Sequence, residues 1–202
     1  MAVSAYVRLQ LSPSRGYAMG MPAQETGWTL EMVRALPDDG NRYEVLDGTL
    51  LVSPAPSYRH QLAVGLLFEI LAPYTRTHGI GRTLTSPADI ELSPTRMVQP
   101  DLFVIPAAVK TASWQDITSL VLVAEVLSPS TARWDRIEKR TAYQVKNVPE
   151  YWVVDPDTRA FERWRPIDQR PELLSHSLAW QPLATVPPLT IDLVKYFADV
   201  WL

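Results

Sequence analysis

A single acid lies inside an apolar run. Residues 120–127 read Leu-Val-Leu-Val-Ala-Glu-Val-Leu, with Glu125 the one charge among them. A short, nearly continuous apolar run of this kind is a strand buried on both faces. Such a strand demands a sheet with helices packed against it, which points to a mixed α/β architecture. A carboxylate inside it needs a partner, because an isolated charge is too costly to bury.

The rest of the composition supports one domain. The chain has 202 residues, 47% of them apolar and 20% charged. A chain of this length buries a substantial core without cross-links. There is no cysteine, which excludes disulfides, cysteine zinc sites and cysteine nucleophiles and fits a reducing cytoplasm. The formal net charge is -3 and the pI about 5.6. A protein that grips nucleic acid by bulk charge has a pI above about 9. A nucleic-acid enzyme with this balance therefore requires a local basic patch and metal ions. No apolar run approaches the roughly 20 residues of a membrane-spanning helix. The first twenty residues carry Arg8 and Arg15 without the apolar segment of a signal peptide. Residues 1–26 read as a flexible leader, with Met19 and Met21 as alternative starts. Residues 27–202 read as one domain with a Pro-rich C-terminal extension.

Residues 29–36 predict a short helix with Thr29 as its cap and Pro37 as its stop. Asp47-Gly48, between two β-prone runs, predicts a hairpin. Leu62, Leu66, Leu67, Ile70 and Leu71 recur at helical spacing, so residues 57–78 predict a long helix ended by Gly79. Residues 82–92 and 98–105 predict two strands separated by Ser93-Pro94. A second long helix is expected over 131–147, capped by Ser130 or Thr131. Residues 151–154 and 161–164 then form a hairpin. The Pro-rich stretch after Arg165 is expected to wrap the surface, and residues 192–200 to form a last helix.

Asp101 heads the strand Asp101-Leu102-Phe103-Val104-Ile105. Two acids on adjacent strands can converge on one magnesium ion, which takes few carboxylates and keeps room for water and phosphate oxygens. The competing reading makes Asp101 a strand-end residue bound to backbone amides and Glu125 the partner of an arginine.

Several segments together resemble the Uma family of putative restriction endonucleases, within the PD-(D/E)XK nuclease superfamily. They are Gln99-Pro100-Asp101-Leu102, Ala124-Glu125-Val126-Leu127-Ser128-Pro129-Ser130-Thr131, Asp135-Arg136 with Glu138-Lys139, and residues 148–156. Upstream, Tyr43-Glu44-Val45-Leu46-Asp47-Gly48 and Ser57-Tyr58-Arg59-His60 also match. The resemblance covers residues 29–164 and implies a restriction-endonuclease-like central mixed β-sheet flanked by helices. It implies a metal-dependent phosphodiesterase site, with Mg2+ (or Mn2+) as cofactor, DNA as partner and a homodimer as the assembly. Asp101, Glu125 and Glu44 correspond to metal-binding acids. The superfamily usually places a lysine two residues after the second acid. Here that residue is Leu127, and Lys139 on the following helix takes the corresponding role.

Each assignment has a plainer competitor. Glu44 is either a further ligand or a hairpin residue paired with Arg42 or Arg82. Lys139 either stabilises charge on phosphate or forms an ordinary helix ion pair with Asp135, four residues earlier. On a regular helical projection Trp134, Ile137, Thr141 and Val145 form the apolar stripe, and Lys139 falls opposite. His60 is either a phosphate-touching or proton-moving residue or a surface residue near a helix start. Arg136 and Arg140, with Arg133 and Lys146, form either a phosphate-facing strip or a solvated face. Tyr143 either supports Lys139 or packs on the sheet, and Asp89 is structural. The leading function is a magnesium-dependent endodeoxyribonuclease. The alternatives are a catalytically silent nuclease fold used for binding or assembly, and a hydrolase of a small phosphorylated substrate.

Overall fold

The structure, a computed structural model, describes residues 26–111 and 113–202. Residues 1–25, nearly all of the expected leader, lie outside the described residues. Helix α1 (Leu30–Arg34) is capped by the Thr29 hydroxyl, which accepts from the Met32 N–H. Strands β1 (Arg42–Leu46) and β2 (Thr49–Ser53) form the expected hairpin. Its turn uses positive φ at Asp47 (49°) and Gly48 (84°), the conformation that Asp-Gly tolerates. Helix α2 (Tyr58–Thr77) starts at a Ser57 cap and ends before Gly79, whose φ is 63°.

The next segment departs from expectation. In place of two strands there are four: β3 (Gly81–Thr85), β4 (Ile90–Ser93), β5 (Arg96–Val98) and β6 (Leu102–Pro106). The breaks fall at Pro87 and Pro100, which have no N–H to give to a ladder. Strand β7 (Leu122–Val126) is buried along its whole length. Helices α3 (Ala132–Trp134) and α4 (Arg140–Val145) are joined by a π-helical turn over Asp135–Lys139. The regular helix expected over 131–147 is thus widened in its middle. Strands β8 (Glu150–Asp155) and β9 (Ala160–Trp164) form the anticipated hairpin.

The Pro-rich stretch does more than wrap the surface. It contains β10 (Glu172–Leu174), β11 (Ser177–Trp180) and β12 (Leu189–Asp192), followed by α5 (Leu193–Val200). Alternation explains the difference: Leu178 and Trp180 point inward and are buried, while Ser177 and Ala179 are exposed. The Trp180 ring lies 5.7 Å from that of Tyr74 and 5.8 Å from that of Trp152.

The main sheet has the order β10-β9-β8-β7-β6-β3. Only β7 and β8 run parallel in it; the other neighbours are antiparallel. A parallel pair needs a long crossover, and α3, the π-turn and α4 supply it. A second sheet has the order β2-β1-β5-β4, and β11 pairs with β12. The alternation within β7 sorts the core. Leu122, Ala124 and Val126 pack with Leu67 and Leu71 of α2 and Tyr196 and Phe197 of α5. Val123 faces the opposite layer, with Ala142 and Tyr143 of α4 and Tyr151 and Val153 of β8. Glu125, two residues after Val123, shares that second face. A smaller core joins Leu30 and Val33 to Val45, Leu50 and Met97.

One position on the edge strand β3 tolerates no side chain. A Cβ on Gly81 would lie 1.8 Å from the Ile105 carbonyl oxygen of β6. Gly81→Ala therefore has to part the β3–β6 ladder, and a loss of about 1–3 kcal/mol is expected, as for overpacking generally. Urea denaturation checks this; a variant as stable as the parent overturns it.

Candidate active site

Three elements bring the acids together. Along β1, Tyr43 and Val45 pack on the small core against α1. Arg42, Glu44 and Leu46 therefore leave the strand on the other face, towards β7. Asp101 stands between Pro100 and the start of β6. There the β6–β7 ladder ends and side chains continue it: Asp101 N–H donates to Glu125 Oε2 at 3.2 Å, and Val126 N–H donates to Asp101 Oδ2 at 2.9 Å. The two carboxylates are thereby locked side by side by each other's strands.

Lys139 comes from the π-turn and binds three acids. Its Nζ lies 2.9 Å from Glu44 Oε1, 3.0 Å from Glu125 Oε1 and 3.3 Å from Asp135 Oδ1. Tyr143 OH donates to Glu125 Oε1 at 3.0 Å, and Gln99 N–H to Glu44 Oε1 at 2.8 Å. Asp101 takes Arg42 Nη1 on Oδ1 at 2.6 Å, and His60 Nε2 lies 2.9 Å from its Oδ2. Glu44, Asp101, Glu125, Asp135 and Lys139 are each no more than 4% exposed.

The regular helical projection put Lys139 on the wrong side. Ile137 and Val145, two members of its apolar stripe, are 42% and 64% exposed, while Asp135 and Lys139 are buried. Asp135, Lys139 and Tyr143 form an inward polar ridge. Tyr151 OH donates to the Asp135 carbonyl and braces that turn.

The other expectations divide. The structure brings Asp101, Glu125, Glu44, Lys139 and His60 into one contiguous network. Glu44 pairs with Lys139, not with Arg42 or Arg82. His60 is buried on Asp101 and is not a surface residue. Tyr143 reaches Glu125 and not Lys139. Asp89 accepts from Gln99 Nε2, a structural role. Arg136 and Arg140 are not free to face a phosphate. Arg136 is held by Asp155 at 2.8 Å and Glu162 at 2.6 Å. Arg140 donates to Gln144 and to the Arg136 carbonyl and lies over the Trp164 ring. Carboxylates on β8 and β9 claim the first and an aromatic face the second, which sequence spacing along the helix does not reveal.

Two members of the network were missed as site residues. Asp135 had been weighed only as an ion-pair partner, although its four-residue spacing to Lys139 and Lys139's to Tyr143 is a visible signal. Arg42 lies two residues before Glu44, and on a strand that spacing puts both on one face.

Electrostatics sets the protonation states. Burial pulls the Lys139 ammonium down, but Glu125, Glu44, Asp135 and Asp101 outweigh it and hold its pKa well above the usual lysine value. Burial drives Glu125 well above the usual carboxylate range; Lys139 opposes the shift and the charges of Asp101, Asp135 and Glu44 add to it. Asp135 is likewise raised by burial against the pull of Lys139. Asp101 moves the other way: burial raises it, but His60, Arg42 and Lys139 together hold it below the ordinary value. Four buried carboxylates thus face two fixed cations, Lys139 and Arg42, an excess of two negative charges.

This donor set suits a hard divalent cation in charge and in oxygen chemistry. It is not a preformed cage: among the described residues no group of three or more His, Asp or Glu side chains is arranged around one ion position. Nor is any described helix long and apolar enough to cross a membrane.

The model of the Uma2 family, described as "Putative restriction endonuclease", matches residues 30–194. A crystal structure from Anabaena variabilis ATCC 29413, titled as a putative nuclease belonging to DUF820, superposes with a TM-score of 0.68 at 17% identity. The alignment covers 86% of this chain and 99% of that one. No curated protein matches the sequence significantly. A helix-flanked mixed sheet of the same fold as that structure carries the buried acids and lysine, and the family match spans most of its length: the chain belongs to the Uma2 family of putative restriction endonucleases.

Proposed function

We propose that the protein is a metal-dependent endonuclease that hydrolyses DNA phosphodiester bonds. The observation that carries this reading is the adjacent pair Asp101–Glu125 with Lys139 bound to the second acid. Asp101 and Glu125 would hold a magnesium or manganese ion, with Glu44 acting through Lys139 or through water. Such an ion supplies water activation and offsets phosphate charge. Lys139, held charged by its acids, is placed to donate to the oxyanion that develops on phosphorus. Tyr143 fixes the Glu125 carboxylate, and Asp135 holds Lys139 when Glu125 turns away from it. Two strands to cut suggest two copies acting together, as a homodimer.

A second reading has its own support. The oxygens of Asp101 and Glu125 already have protein partners, and the net charge is -3. A catalytically silent nuclease fold that binds or assembles would look the same. The two separate on a plasmid-cleavage assay of the purified protein. The first reading expects magnesium- or manganese-dependent nicking or linearisation that a chelator stops. Absence of cleavage of DNA with either metal sinks it and leaves the binding module.

A further inference from the structure

Three side chains around Asp101 each keep a buried polar atom that has no hydrogen-bond partner among the described residues. They are Arg42 Nε, Ser53 Oγ and His60 Nδ1. Their placement is shared. Arg42 and His60 hold opposite oxygens of the Asp101 carboxylate, through Nη1 at 2.6 Å and Nε2 at 2.9 Å. Arg42 and Ser53 are cross-strand partners in the β1–β2 hairpin, so their side chains leave it on the same face. Ser53 is 2% exposed and His60 6%. Buried polar groups are almost always paired, and each exception calls for an explanation. Three around one carboxylate are a concentration of unused hydrogen-bonding capacity.

Their chemistry selects the ligand. Arg42 Nε and the Ser53 hydroxyl are donors. Since the Asp101 carboxylate only accepts, the His60 Nε2 facing it carries the proton, and Nδ1 in the neutral ring is an acceptor. Two donors beside an acceptor fit an anionic oxygen accompanied by a water molecule. We propose that Arg42, Ser53 and His60 form a phosphate subsite next to Asp101, in which Arg42 Nε and Ser53 Oγ donate to a phosphate oxygen and His60 Nδ1 accepts from the adjoining water. This deepens the nuclease reading and rests on it for the phosphodiester as natural ligand. A guanidinium that bridges Asp101 and the phosphate would set the substrate's position relative to the Asp101–Glu125 pair.

Inorganic phosphate is the probe, and binding is followed on the full chain without added metal. The chain has three histidines, so the ring nitrogen resonances of a histidine-labelled sample are few, and loss of a signal in His60→Asn assigns the one of interest. Phosphate is expected to shift the His60 resonance saturably. Arg42→Gln and Ser53→Ala are each expected to weaken the apparent affinity by about tenfold, the usual scale for a hydrogen bond to a charged group. Arg42→Gln strips Asp101 of a partner and can unsettle the fold, so Ser53→Ala is the decisive variant. Its hydroxyl has no partner to lose, and its melting temperature should equal or exceed that of the parent while phosphate binding falls. A His60 signal that ignores tens of millimolar phosphate overturns the subsite, as does a shift that Ser53→Ala leaves unchanged. The nuclease reading fails separately: a protein that binds phosphate in this Ser53-dependent way yet cuts no DNA keeps the subsite and loses the reaction.

Discussion

Lys139→Met is expected to destabilise the protein by about 3–5 kcal/mol near neutral pH, the cost of leaving buried charges without their partner. Lys139 is the one cation in contact with Glu44, Glu125 and Asp135 among the described residues, and all four groups are buried. Methionine fills nearly the same volume, so the loss is electrostatic and not a cavity effect. The pH dependence identifies it. Glu125 and Asp135 have carboxyls raised by burial, and Lys139 holds both shifts in check. Without Lys139 both rise further. A carboxyl whose folded pKa exceeds its unfolded value, about 4, takes up a proton on folding in the window between the two. Stability from such groups is fully present below the unfolded value and is lost as pH rises through the folded one. The variant should therefore recover much of its deficit between pH 8 and pH 5. Calorimetric melting of both proteins across that range tests it. A loss below about 1 kcal/mol, or a deficit equal at both ends, means that Lys139 is not the counter-charge of the cluster.

Glu125→Gln should do the reverse: little harm to the fold and a large loss of cleavage. The glutamine amide oxygen can still accept from Tyr143 OH and from Asp101 N–H, the contacts that fix the glutamate. Lys139 keeps Glu44 and Asp135. What disappears is the negative charge on the acid proposed to hold the metal with Asp101. A reduction of DNA cleavage by about 10²–10³-fold or more is expected, the scale of removing one group that acts on transition-state charge. Affinity for a DNA duplex should stay level or increase, because a negative charge near the phosphates has gone. Retention of cleavage within tenfold of the parent would remove Glu125 from the chemistry. Equal binding by parent and variant, with neither cutting, would favour the silent binding module.

Much of this was legible before any coordinates. The apolar run around Glu125 predicted a strand buried on both faces, and β7 is that strand. Asp47-Gly48 marked its hairpin because positive φ is a local property of those residues. The helix caps at Thr29 and Ser57 were read from one residue each. Asp101, Glu125, Glu44, His60 and Lys139 were named from motif order, and the structure puts them in one network.

The misses share a cause. The two long strands expected over 82–105 became four, since two prolines cut the ladder and a separate sheet claimed the middle pieces. The C-terminal stretch looked like surface wrapping because its strands are three or four residues long, too short to show a period. Trp180 is buried all the same, held between the rings of Tyr74 and Trp152. Arg136 and Arg140 looked free along their helix, and distant partners on β8 and β9 engage the first.

The sequence by itself determined the local conformations, the strand that carries Glu125 and the set of residue types available for chemistry, because these follow from propensity, alternation and composition. Only the tertiary structure decided which way Lys139 points. A regular helix would have turned it from the sheet. A π-turn turns it inward, where three buried carboxylates compensate for the lost hydration of one ammonium, an energy that spacing along the chain cannot express.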